Sequence, residues 1–104
     1  MKPLKISDFP ELQKVFSGYL YEDFLEDFES PAAALRAFQE DADNSERLRF
    51  GTETKRFLEG AATLDFEQVR TLIARLGCRW RPPSRKALVA LLTEAAHAAP
   101  GRET

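Results

Sequence analysis

The sequence predicts an all-α fold, a compact bundle of about five helices. Apolar residues recur at spacings of three and four in successive segments, the period of one helix face. Capping residues or prolines open most of those segments, and glycine or proline follows several of them. No segment alternates apolar and polar residues between hairpin turns, so strands have no support.

In chain order, Ser7 or Asp8 is placed to cap a first helix, with Pro10 in its first turn. Phe9, Leu12, Phe16, Tyr19 and Leu20 then share one face. Ser30-Pro31 is the clearest start signal: a cap, then a proline whose missing N–H has no helical partner to lose. The Ala-rich segment after it carries Leu35, Phe38 and Ala42 on one stripe. Asn44 or Ser45 is the expected opening of a third helix to about Ala61, with Phe50, Thr54, Phe57, Leu58 and Ala61 inward. Gly51 and Gly60 weaken it by roughly 1 kcal/mol each relative to Ala if they are interior. Asp65 caps a helix striped by Phe66, Val69, Leu72, Ile73 and Leu76, and Gly77 stands where a left-handed exit residue is wanted. Pro82-Pro83 forces an extended connection. Ser84 caps a last helix with Leu88, Leu91, Leu92 and Ala95 inward, fraying near Pro100.

With 104 residues, the chain is expected to be a single helical domain over 1–104, with an ordered core at about 8–98 and a frayed tail at 99–104. A composition of 43% hydrophobic and 31% charged residues, with eight Phe, argues against disorder, and no apolar run reaches membrane-spanning length. The basic residues near the N-terminus precede no apolar stretch of the kind a secretory signal needs. Cys78 is the only cysteine, so no intrachain disulfide is possible, and the expected location is the cytoplasm.

The net charge of −2 hides an asymmetry. Residues 1–46 hold 11 acids against four bases, a net of −7; residues 47–104 hold 11 bases against six acids, a net of +5. Either the halves attract each other within the fold, or one face is kept acidic for a basic partner. The acids concentrate between Tyr19 and Glu29. Read as helix, Tyr21, Phe24, Leu25 and Phe28 share one side and Glu22, Asp23, Glu26, Asp27 and Glu29 line the other. Like charges four apart, as in Glu22 with Glu26, oppose helix formation by a few tenths of a kcal/mol. A solvated amphipathic helix explains the same residues without any partner. The candidate partner-binding set is Tyr19, Tyr21, Glu22, Asp23, Glu26, Asp27 and Glu29.

Catalysis has no constellation behind it. Pairing Cys78 with the single histidine, His97, needs coordinates to support it, and one Cys with one His cannot make a zinc site. The acids lack the alternating spacing and central glycine of a calcium loop, and no glycine-rich phosphate loop exists. Neither an enzyme nor a cofactor, a metal or a small-molecule substrate is expected. A second candidate surface is basic: Arg79-Trp80-Arg81 with Arg75, Arg85 and Lys86, suited to stacking and neutralising a single strand. A small helical nucleic-acid-binding regulator is therefore the alternative, although a pI near 5.4 argues against nucleic acid. The same residues are accounted for if Trp80 plugs the bundle end and the arginines are solvated or pair with the acidic half.

Four motifs stand in order: Phe9-Pro10-Glu11-Leu12; Tyr19-Leu20-Tyr21-Glu22-Asp23-Phe24; Ser30-Pro31 with the Ala-rich helix ending in Phe38; and Leu76-Gly77-Cys78-Arg79-Trp80-Arg81-Pro82-Pro83. Together they resemble the small helical immunity proteins of bacterial contact-dependent growth inhibition, over roughly residues 8–96. The resemblance implies a protein that neutralises the toxic C-terminal domain, often a nuclease, of a large surface exoprotein. That family tends to carry an aromatic, His-Gln, then Asp and an aromatic. Here Tyr21-Glu22 replaces the His-Gln pair, which adds negative charge and leaves no histidine for any role that needed one.

Overall fold

The computed structural model describes residues 5–97, and these form six α-helices preceded by a 3-10 turn at Ile6–Asp8. The helices are α1 (Pro10–Tyr19), α2 (Phe24–Asp27), α3 (Pro31–Asp41), α4 (Asn44–Ala61), α5 (Phe66–Arg75) and α6 (Arg85–His97). No strand occurs among the described residues, and the fold is the all-α bundle that the periodicity predicts. The additional helix is α2, a single turn. The frayed tail expected at 99–104 lies outside the described residues.

Local chemistry sets most helix starts. Ser30 Oγ accepts from Ala33 N at 3.1 Å, and Ser84 Oγ accepts from Ala87 N at 3.1 Å. Asp65 and Gln68 close a reciprocal capping box on α5, at 2.8 and 3.0 Å. The cap of α4 is Asp43, one residue before the expected Asn44 or Ser45. Its carboxylate accepts from Glu46 N at 2.8 Å while Glu46 Oε1 accepts from Asp43 N at 2.9 Å. Gly51 and Gly60 both fall inside α4.

The start of α1 differs from the expectation. Ser7 and Asp8 belong to the 3-10 turn, and Phe9 takes the cap position without a side-chain bond. The acceptor comes from another helix: Glu53 Oε1, on α4, accepts from the backbone N–H groups of Glu11 and Leu12, both at 2.9 Å. Glu53 is buried, and its charge is offset by those two donors and by the positive end of the α1 dipole.

Helices α1, α3, α4 and α6 pack on one another, α4 against α1 and α6, and α3 against α1 and α6. Phe16, Phe50 and Phe57 are the largest fully buried side chains, and Phe9 meets Phe57 edge-on at 5.5 Å. Helix α5 closes the core with Val69, Ile73 and then Leu76. It ends as the sequence predicts, at Gly77 with φ +102°. There Gly77 N donates to Ala74 O and Cys78 N to Ile73 O, both at 3.0 Å, the pair of hydrogen bonds of a Schellman exit. A Cβ on Gly77 would stand 2.9 Å from Ser17 Cβ on α1. Strain and overlap act together there, so Gly77→Ala is expected to cost about 2–3 kcal/mol in urea unfolding. A change below about 0.5 kcal/mol would show that α1 and the exit of α5 are free to separate.

Candidate functional site

The acidic stretch is not one helix. Helix α1 stops at Tyr19, and Leu20 N caps it by donating to Phe16 O at 2.9 Å. The Leu20 carbonyl turns outward to accept from Arg79 N at 2.8 Å, which ties the stretch to the segment leaving α5. A turn at 21–23 then leads to the single turn α2, and Phe28 leaves it in extended conformation. Mutual repulsion of the acids at i and i+4 works in the same direction, against a long helix.

The break changes the aromatic face. Phe24 is buried, and Tyr21 and Phe28 are half-buried against the core, but Leu25 is 62% exposed, contrary to its expected place on the apolar side. The period argument placed Leu25 by assuming that the helix continued. Phe28 packs against both tyrosines, tilted to Tyr19 at 6.2 Å and edge-on to Tyr21 at 6.5 Å. Tyr19 donates to Asp41 Oδ2 at 2.9 Å, and burial with that bond raises its phenol pKa. Tyr21 donates to Asp27 Oδ2, a bond that pushes its pKa up to about 12, so both tyrosines are neutral at physiological pH.

Glu22, Asp23, Glu26, Asp27 and Glu29 are all exposed, and among the described residues none of them makes an ion pair. Two other acids of the N-terminal half, Glu11 and Glu46, are neutralised. Lys14 bridges Glu11 at 3.2 Å and Glu46 at 2.9 Å, and Arg49 reaches Glu11 at 3.3 Å. The Lys14 bond holds the Glu46 carboxyl below its ordinary pKa. Of these bridges only Arg49 to Glu11 joins the two halves, while Glu46 is neutralised from within its own half by Lys14, and the stretch 22–29 is left as uncompensated negative charge.

The second candidate stretch lies against the first. Because Arg79 is pinned to Leu20 and Pro82-Pro83 hold the chain extended, Arg79, Trp80 and Arg81 run beside α5 as one wall of an open groove of about 600 Å³. Arg70 and Glu67 of α5 stand on the other wall, and Glu22 also lines the groove. Arg85, counted with the basic set, is spent elsewhere: it donates to Ala61 O at 3.1 Å and to Leu64 O, closing the exit of α4. The groove was not legible in either stretch alone, since only the tertiary bond between Leu20 and Arg79 brings them together.

Cys78 is buried under this segment, its Sγ lies 3.5 Å from Trp80 O, and burial pushes its pKa to about 11. The side chain of His97 lies outside the described part of the chain. Among the described residues no group of His, Cys, Asp and Glu is placed to hold a metal, and no helix is long and apolar enough to cross a membrane.

The sequence model of the CdiI immunity proteins matches residues 8–97, nearly the whole chain. The chain belongs to the CdiI immunity protein family. No curated protein and no solved structure gives a significant match. Membership makes this an immunity protein of contact-dependent growth inhibition, whose role is to neutralise a toxin. The family span takes in the acidic stretch, the groove and every described α-helix.

Proposed function

We propose that this immunity protein acts in the cytoplasm by binding the toxic C-terminal domain of its cognate surface exoprotein through Tyr19, Tyr21, Glu22, Asp23, Glu26, Asp27 and Glu29. The toxin domain it fits is one with a basic substrate-binding surface, as a nuclease has, and the acids occlude that surface. The observation that carries this reading is the density of charge: five exposed acids fall within residues 22–29, and none of them has an ion pair among the described residues. Unpaired acids repel each other in the free protein and gain only when a cationic partner arrives. Tyr21 and Phe28, half-buried behind the acids, stiffen the platform, and exposed Leu25 supplies an apolar contact at its centre.

Stopped-flow mixing of the immunity protein with the purified toxin domain tests this. A one-to-one complex is expected, with an association rate that falls by at least about tenfold from low to physiological salt. A rate indifferent to salt would remove the acidic surface from the encounter.

A further inference from the structure

We infer that the groove between α5 and the Arg79–Arg81 segment is a second contact region, which receives an acidic side chain of the same toxin domain. The inference rests on the partner proposed above and adds the sign of a further part of its surface. The guanidinium groups of Arg79 and Arg81 have no ion pair or hydrogen-bond acceptor among the described residues, and both residues are exposed. Trp80 is half-buried between them and its indole N–H meets no described acceptor. Arg70, opposite, is held by Glu67 at 3.2 Å and lies over the Phe66 ring at 5.6 Å, so it is fixed in position but already partly neutralised. Two free planar forks flanking an aromatic suit a carboxylate, which one guanidinium can bind bidentately.

The neighbourhood decides which anion fits. Glu22 and Glu67 both line the groove, and the exposed acids of 23–29 follow Glu22 in the chain. A nucleic-acid strand lying in the groove would bring its phosphates up against the carboxylates of Glu22 and Glu67. A protein surface does not carry that constraint, because it can place one acid in the groove and bases beyond it. The partner so described has a basic patch flanked by an acidic projection, and the paired signs fix its register as well as its attraction.

The full-length protein carrying 5-fluorotryptophan gives one fluorine resonance, since Trp80 is the only tryptophan. Unlabelled toxin domain is expected to shift that resonance. The double variant Arg79→Ala, Arg81→Ala is expected to bind at least roughly tenfold more weakly, chiefly through faster dissociation, with the salt dependence of association retained. Both arginine side chains are exposed and unbonded, so the variant is expected to keep the wild-type circular dichroism. An unmoved resonance with wild-type affinity in the double variant would overturn the inference while leaving a salt-steep association, and so the acidic surface, in place. A shift produced by short single-stranded DNA and not by the toxin domain would also overturn it, in favour of a nucleic-acid site. Loss of salt dependence with the wild-type protein would instead count against the acidic face.

Discussion

Replacing Glu53 with alanine is expected to lower the stability of the immunity protein by about 3 kcal/mol, because two backbone donors at the start of α1 lose their only acceptor. For a domain of this size that corresponds to a fall in Tm of roughly 10–20 °C. Glu53→Gln keeps an acceptor and gives up only the charge, so its cost is expected to be smaller, about 1 kcal/mol. The effect would reach the surface, since α1 leads directly into the acidic stretch and Leu20 anchors the groove. Thermal unfolding followed by circular dichroism measures both variants. An alanine variant within about 0.5 kcal/mol of wild type would mean that α1 is held by its apolar face alone.

Reversing the acidic face is expected to have the largest effect on binding. With Asp23, Glu26 and Asp27 changed to lysine, association with the toxin domain should slow by about a hundredfold or more at low salt, since steering attraction becomes repulsion. All three side chains are exposed, so the fold should survive; the one bond lost is that from Tyr21 to Asp27. Cells producing the toxin domain with this variant should no longer be protected, whereas Lys14→Ala, which disturbs only the bridge to Glu11 and Glu46, should still protect them. Protection by the lysine variant would place the decisive contacts elsewhere.

Where information is local, the fold could be read from the sequence. Ser30, Asp65 and Ser84 cap helices because a short polar side chain reaches an N–H three residues on, and nothing distant is needed. Gly77 ends α5 because its backbone must go left-handed there. Asp43 and Glu46 carry the same kind of signal, a cap and its reciprocal three residues later, and locate the start of α4 better than Asn44 or Ser45 do. Glu53 is passed over in the sequence reading although it falls on the stripe of Phe50, Thr54 and Phe57, where a buried glutamate must find donors. Which donors it finds depends on α1, about forty residues away in sequence, and no periodicity contains that.

The site divides in the same way. The charge of residues 22–29 is a property of composition and survives the break after Tyr19. The face assignment was a property of an assumed continuous helix, and Leu25 shows where it failed. The groove depends wholly on one tertiary bond, Arg79 N to Leu20 O, and on two prolines that keep the chain straight after it.

Backbone hydrogen exchange of the immunity protein, free and saturated with its toxin domain, tests the central claim most directly. In the free protein the amides of residues 21–29 should exchange faster than those of α1 and α4, since α2 is a single turn with few backbone bonds and its acidic side chains stand in solvent. Binding is expected to slow those amides more than any other segment, with a second, smaller effect at 79–81. Slowing confined to another face, for instance the exposed side of α4 or α6, with residues 21–29 unchanged, would contradict the acidic face as the surface that meets the toxin.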